Sequence, residues 1–453
     1  MEVQIFVNWP GAPLTEALVL RAMDRLRLSS GWRLITADPT SDHPCSERSL
    51  LQWATYDSIN HEATLSRPSS VLASSYVIRK ALIRKHFLHR CILAYTTKHP
   101  DSSLSQYVPR TWDIEISYAD ELDELWSDEL WDLENEMKRG ADKWWILKPG
   151  MADRGMGIRL FKSKKALQQI FEDFENEESD EEADKDSVNG GTGVIISQLR
   201  HFVIQEYLEN PVLVDPNQTI MNENSEVRLQ GRLERRKFHL RVYCVASGAL
   251  TVYLYPRVLA LFAPEEYKEP SQISDSVECS DLRPHLTNTC LQEAAGEENV
   301  RLLHELIGCN ILSGGNFEAN HLFSEEDVAS IMDQISDALS ETFKAALQMP
   351  VHFQPLPNAF ELYGVDFLVS HRPCNRIGGR FLVKLLEFNS EPAIEMTGTR
   401  LKWILEDLFE LIGKTCVEPF FNRESFGEVR IPCRTGLESS CAFRKCLTVN
   451  LRN

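Results

Sequence analysis

Apolar residues recur along this chain with two periodicities, and the switches between them outline its elements. The opening VQIFVNW reads as a strand, and LTEALVLRAMDRLRL after it carries apolar residues at helical spacing. A β-α start of this kind predicts a small Rossmann-like lobe over residues 1–75, although no GxGxxG follows the strand. Residues 76–99, YVIRKALIRKHFLHRCILAYTTKH, read as one amphipathic helix in which Arg79, Lys80, Arg84, Lys85 and Arg90 alternate with Ile78, Leu82, Phe87, Leu88 and Ile92. Residues 112–138, rich in acid and tryptophan, read as a surface helix plus a connection.

Beyond them, KWWILKPGMADRGMGIRLF (143–161) places Lys148 on a strand that enters a loop with Gly150, Gly155 and Gly157 before a second strand. FVIQEYLENPVLV (202–214) is an apolar strand ending at Pro211. In 231–263 the alternation is clean: Lys237, His239 and Arg241 point one way and Phe238, Leu240 and Val242 the other, with a turn at Ser247-Gly248 and Arg257 on the partner strand. Residues 264–300 are polar and loop-like. A helix is predicted over 324–348, where Ser324 and Asp327 form a capping-box-like start ahead of the stripe Val328, Ile331, Ile335, Leu339 and Phe343. TGTRLKWILEDLFELIGK (397–414) reads as an amphipathic helix covering a sheet, and residues past 420 as a loosely held tail.

Two further strands carry the most suggestive chemistry. ELYGVDFLVS (361–370) and FLVKLLEFNS (381–390) flank a polar, glycine-containing connection, as the arms of a hairpin do. Pairing them about the middle of that loop sets Asp366 opposite residues 385–387, and Glu387 and Asn389 share a face. Carboxylates opposed across a sheet are destabilising unless something compensates them. Magnesium would, because it takes oxygen ligands from one or two carboxylates plus substrate phosphates. An acidic pair splayed at the solvated end of the hairpin satisfies the same residues. Similar pairs of readings hold elsewhere. The glycine loop beside Lys148 is a phosphate cradle or a plain hairpin, and the cationic positions at 237–257 are an anion site or a solvated face. The basic helix either steers an anion or simply faces water.

Composition narrows the class. At 43% apolar and 25% charged the chain has the make-up of a soluble globular protein, and its 453 residues allow two or three lobes. The start shows no basic leader and no long apolar run follows, so a cytoplasmic protein without membrane contact is expected. The 11 cysteines never form CxxC and the 12 histidines never form HxxxH, which argues for reduced thiols and against zinc. A net charge of −19 argues against direct nucleic-acid binding. Much of it sits in EDFENEESDEEADKD (172–186), which with the residues to 193 reads as a disordered surface insertion, with a docking segment as the other reading.

The order of the pieces is itself informative. KPG with its glycine loop, QEYLENP, RKFHLRVY, YPR, HLTN, ELYGVDFLV and LLEFNSEP resemble, in sequence and spacing, the tubulin–tyrosine ligase family of ATP-grasp enzymes, in a pattern nearest its fungal and plant members. The resemblance runs from the basic helix to about residue 415. It implies an α+β fold, mostly antiparallel sheets with flanking helices behind the Rossmann-like lobe, with a central lobe over 76–208, a C-terminal lobe over 209–415 carrying the metal site, and a tail over 416–453. It also implies ATP and Mg2+ as cofactors. On this sequence Lys80 and Lys148 match lysines that reach the nucleotide phosphates, and Gly155 and Gly157 the loop that closes over them. Gln205, Glu206, Tyr207 and Leu208 match the adenine hinge, and Lys237 a lysine near ribose and phosphates. Arg241, Arg257 and Asn288 match positions lining the phosphate and acceptor region, with both arginines and Glu387 expected to act in catalysis. Asp366, Glu387 and Asn389 match the magnesium ligands.

The implied chemistry is activation of a carboxylate as an acyl phosphate and its capture by an amine, with a free amino acid added to a protein acceptor and the tubulin tail the family expectation. One position departs: His239 stands beside the phosphates where many tubulin-modifying members carry an acid, and acceptor choice is what that change touches. An alternative is a nucleotide-binding domain that serves as an interaction module in a cytoplasmic messenger-RNA–protein assembly. An ATP-grasp ligase for a small carboxylate does not account for HLTN and RKFHLRVY together.

Overall fold

The first switch of periodicity does separate a strand from a helix, β1 (Glu2–Asn8) from α1 (Pro13–Ser30), whose proline sits in the first turn where its missing N–H costs nothing. β2 (Arg33–Thr36) and β3 (Ser49–Ala54) lie parallel to β1 on its two sides. α2 (His61–Ser66) then leads to β4 (Val71–Ala73), parallel to β3. The sheet order is β2-β1-β3-β4, all parallel, which is the arrangement a β-α opening predicts. This computed structural model describes residues 2–36, 48–139, 143–151, 155–183, 199–219, 232–270, 282–287, 296–313, 322–373, 379–423, 427–432 and 440–450.

The continuous helix expected over 76–99 is broken. Arg84 is extended (φ −112°, ψ 118°) between α3 (Lys80–Ile83) and α4 (Lys85–Lys98). Hydrogen bonds to distant backbone replace the helical ladder there: Ala81 N–H donates to the His352 carbonyl, and Lys85 N–H to that of Gly150. The cationic face is only partly a solvated stripe: Lys80 and Arg90 are exposed, Arg90 beside Asp113, whereas Arg79 is buried on Glu361.

After α5 (Leu104–Tyr107) the acidic, tryptophan-rich stretch begins as a strand, β5 (Thr111–Glu115), and continues as the short helices α6 (Leu122–Leu125) and α7 (Trp131–Lys138). β6 (Trp145–Pro149), β7 (Arg159–Phe161), α8 (Lys164–Ala183) and β8 (His201–Glu206) complete the central lobe as an antiparallel sheet in the order β5-β8-β6-β7. Trp145, Leu147, Phe202 and Ile204 face Leu167, Phe171 and Phe174 of α8, which leaves Ile146, Lys148 and Gln205 on the opposite face. The acidic segment is therefore not loop from its start: residues 172–183 continue α8. Phe171 and Phe174 anchor the helix, and once nucleated a helix extends at little cost. The rest of the acidic stretch lies outside the described residues. The strand expected over 202–214 also divides, β8 ending at Glu206 and β9 (Leu213–Val214) joining a different sheet.

That sheet is eight-stranded and centred on β10 (Arg236–Ser247), with β11 (Thr251–Leu254), β12 (Leu259–Phe262), β13 (Val300–Leu302), β14 (Phe360–His371) and β15 (Phe381–Ser390). One face, with Phe238, Leu240, Val242, Val365 and Phe367, packs on α9 (Glu325–Leu347), whose Ser324–Asp327 capping box forms as expected. Part of the other face, with Tyr243, Val245 and Phe360, packs on α1 and on α10 (Lys402–Ile412). α10 passes through a π-helical turn into α11 (Glu418–Asn422).

The described parts of the expected loose tail belong to this lobe. β16 (Arg430–Pro432) pairs with β17 (Ser440–Ala442), and β18 (Arg444–Thr448) extends the large sheet beside β11. Arg444 and Lys445 hide the strand pattern in the sequence, as charges on edge strands commonly do. Among the described residues no helix is long and apolar enough to cross a membrane.

Phe343 of α9 meets Phe353, Tyr363 and Phe388 with ring centroids 5.9–6.1 Å apart. Its replacement by alanine should cost about 3–5 kcal/mol in a denaturant titration, with the tertiary signal lost in one step.

Candidate active site

A cleft of about 710 Å³ opens between the Lys148 face of the central sheet and the uncovered end of the large one. On the large sheet the register builds it. β10, β14 and β15 run antiparallel side by side, and Asp366 of β14 stands between Arg241 of β10 and Glu387 of β15, with Asn389 opposite Gly364. A bulge after Asp366 turns the chain so that both Leu386 and Glu387 line the cleft.

Protein cations compensate the two opposed carboxylates. Arg241 donates to both oxygens of Asp366, Nε at 2.6 Å and a terminal nitrogen at 3.1 Å. Lys85 Nζ lies 2.9 Å from Glu387. Asn389 Nδ2 donates to Asp366 Oδ2 at 3.2 Å, so the three expected metal-ligand residues are neighbours. Lys85 reaches them because the break at Arg84 starts α4 against the end of β6. A Cβ on Gly150 there would sit 2.7 Å from His86 Nδ1 and 2.9 Å from the His201 carbonyl oxygen, so glycine alone allows the approach.

The cleft sets the ionisation of its groups. Burial opposes charge on Glu387, yet Lys85, Lys148 and Arg241 outweigh it and hold its carboxyl down to about 2. Burial pushes Lys148 down to about 8 despite the favourable field of Glu387, and pushes Lys237 down to about 7, helped by Lys148. Lys148 donates to Gln205 Oε1 at 2.7 Å and Lys237 to the Tyr207 hydroxyl at 3.2 Å, both uncharged acceptors. His239 is almost wholly buried, with Nδ1 2.5 Å from Thr287 Oγ1 and Nε2 without a hydrogen-bond partner, 3.6 Å from Asp366. Burial lowers its pKa, so the imidazole is held neutral. Two buried ammonium groups on neutral acceptors and an unpartnered ring nitrogen fit an anionic ligand such as a polyphosphate.

Most of the singled-out residues meet here. Gln205, Glu206, Tyr207 and Leu208 line the cleft where the chain crosses between the sheets, near Ile146, Ile158 and Leu286. Gly155 and Gly157 adopt positive φ (81° and 70°) in the β6–β7 connection. Lys80 does not belong: it is exposed on α3, and Lys85 is the lysine at Glu387. The sequence repeats Ile-Arg-Lys at 78–80 and 83–85, and only the tertiary break shows that the second copy enters the site. Arg257 lies in the turn before β12, not on a strand, and its guanidinium sits over the Trp403 ring, 5.8 Å from the ring centroid. Asn288 lies outside the described residues. His285 and Thr287, from the same HLTN segment, line the cleft and hold Tyr207 and His239, roles the pattern did not reveal.

Two antiparallel sheets gripping a cleft, with Lys148 from one and Lys237 and a carboxylate–amide set from the other, form an ATP-grasp fold. The crystal structure of the C-terminal domain of Kluyveromyces lactis Pby1, an ATP-grasp enzyme interacting with the mRNA decapping enzyme Dcp2, matches it with a TM-score of 0.64 at 28% identity, over 99% of this chain and 100% of that one. The Tubulin-tyrosine ligase family profile matches residues 72–425, and the chain belongs to that family. The probable tubulin–tyrosine ligase PBY1 of Saccharomyces cerevisiae is 38% identical over 388 residues, 83% of this chain but 47% of that protein, so the chain spans about half of that relative. A probable tubulin–tyrosine ligase of Schizosaccharomyces pombe is 38% identical over 383 residues, 82% of this chain and 83% of that one.

Because the folded pKa of Lys237 is depressed, its charge costs stability in full below about pH 7, and the cost is relieved as pH rises toward the unfolded value. Lys237→Met should therefore stabilise the ligand-free protein by about 2 kcal/mol at pH 6 and by much less at pH 10, read from chemical denaturation at both.

Proposed function

We propose that this chain is an ATP- and magnesium-dependent carboxylate–amine ligase that joins an amino acid to a protein carboxylate through an acyl phosphate. The observation that carries this reading is the gathering of Asp366, Glu387 and Asn389 beside a cleft lined also by Lys148 of the central sheet and Lys237 of the large one. Asp366, Glu387 and Asn389 would hold magnesium, which when bound supplies a Lewis acid for the nucleotide phosphates. Lys148 and Lys237 would hold those phosphates, and binding an anion would restore the full charge that burial weakens. Residues 205–208, with Ile146, Ile158 and Leu286, offer backbone groups and an apolar sandwich for adenine. Arg241 aims the Asp366 carboxylate through two hydrogen bonds. His239, neutral, sets a hydrogen-bonding group rather than a carboxylate beside the acceptor. A cytoplasmic location belongs to the same proposal.

The tubulin tail is the acceptor the family name supplies, but several cations that could attract an acidic tail are engaged within the protein. Arg235 donates to the Leu312 carbonyl, Arg236 is held by Glu234 and Asn299, and Arg90 by Asp113. A second reading, an interaction module of a messenger-RNA–protein assembly, is favoured by the Kluyveromyces relative that interacts with a decapping enzyme.

ATP-dependent incorporation of labelled tyrosine and glutamate into lysate proteins separates the two. The ligase reading expects incorporation by the wild type that falls about 100-fold or more in Glu387→Gln. Equal, negligible incorporation in both would leave the interaction module.

A further inference from the structure

The two carboxylates of the expected metal set are held in unlike ways. Asp366 is fixed, because both of its oxygens accept from Arg241, Nε at 2.6 Å and a terminal nitrogen at 3.1 Å, and Asn389 Nδ2 adds a third bond at 3.2 Å. Arg241 is packed as well. Its side chain lies across Gly364 of β14, where a Cβ would come within 3.3 Å of Cδ and 3.5 Å of Nε. A planar guanidinium bound at two points and laid on bare backbone loses both contacts in any shift.

Glu387 depends on a single ammonium. Among the described residues the one cation within ion-pair distance of it is Lys85, whose Nζ lies 2.9 Å from Oε2, and Lys85 makes no other side-chain hydrogen bond or ion pair there. Its side chain is 18% exposed. The charge ends a flexible four-carbon stem rooted in the first residue of α4, where the backbone N–H is tied to the Gly150 carbonyl at 3.3 Å. The root is pinned and the ammonium can swing.

These pairs already compensate both carboxylates, and Lys148 adds a third cation that feels Glu387 and Asp366. A divalent ion taking Glu387 must displace Lys85 and then bear the fields of Arg241 and Lys148, with only two carboxylates in return. A polyphosphate reverses that balance, since it brings several negative charges into the same space and offers Lys85 another partner. We propose that Lys85 is a latch on the metal site: its ion pair with Glu387 keeps divalent cations out until the phosphates of a nucleotide enter, so that metal and nucleotide bind together. As a latch on magnesium it rests on the ligase reading, to which it adds the residue that sets the order of filling. Linkage then requires nucleotide and metal to strengthen each other's binding.

Manganese binding to the full chain without nucleotide, read from the loss of the free ion's paramagnetic resonance signal, tests the latch. Lys85→Met should bind manganese at least about tenfold more tightly than the wild type, and Lys85→Met/Glu387→Gln should lose that gain. Lys85→Arg, which can re-form the ion pair, should exclude the ion as the wild type does. Lys80, exposed on α3, supplies the control: Lys80→Met changes the net charge equally and should match the wild type. Equal binding by wild type and Lys85→Met, a gain of the same size in Lys80→Met, or a gain that survives the loss of Glu387 would each overturn the proposal. Saturable binding by the wild type at micromolar manganese would overturn it too, with no variant needing to fold. A fluorescent ATP analogue keeps latch and ligase apart. Nucleotide binding with no manganese gain in Lys85→Met would refute the latch and leave the ligase; a gain without nucleotide binding would support exclusion by Lys85 and refute the ligase.

Discussion

The antiparallel register of β14 between β10 and β15 is the constraint on which the site depends. It sets one carboxylate, Asp366, between the guanidinium of Arg241 and a second carboxylate, Glu387. A slip of one residue would turn every side chain of the strand to the other face and bury Asp366 against α9. That slip is opposed by the whole α9 core, because Val365 and Phe367 would have to leave it. The hydrophobic effect thus fixes the positions of the charges, and the charges need contribute little to stability.

What the charges contribute is poise. Lys85, Lys148, Lys237 and Arg241 converge on a space shared with Asp366 and Glu387, and burial leaves Lys148 and Lys237 with pKa values near neutrality. Such a cluster is costly when empty and is relieved by an anion, which makes it a preorganised receptor rather than a structural ion-pair network. The three-lobed architecture serves the same end. The central sheet brings Lys148 and Gln205, the large sheet brings the carboxylates, and residues 207–212 pass between them.

How much of this could be read from the chain depends on whether neighbours in sequence were also neighbours in space. The hairpin of β14 and β15 was legible, since period-two alternation on either side of a short polar connection leaves few registers, and the face shared by Lys237, His239 and Arg241 followed from the same rule. Lys85 was not. The repeated Ile-Arg-Lys offers two equivalent lysines, and the choice is made by hydrogen bonds to His352 and Gly150, far away in sequence. Residues 172–183 look like solvated loop because their charge outweighs their one phenylalanine, yet Phe174, with Phe171 just before it, suffices to hold the helix to the central sheet. β18 was hidden for the opposite reason: an edge strand with arginine and lysine lacks the apolar run of a buried one. The family resemblance supplied the ligand classes, which no periodicity contains.

The central claim is that the β14–β15 register builds a divalent-cation site beside a nucleotide cleft. Anomalous diffraction from crystals grown with manganese and a non-hydrolysable ATP analogue tests it most directly. The account predicts a manganese peak within bonding distance of Asp366, Glu387 and Asn389, with the analogue's phosphates toward Lys148 and Lys237. Manganese bound elsewhere, or an analogue ordered in the cleft with Lys85 still on Glu387 and no metal beside it, would contradict the account.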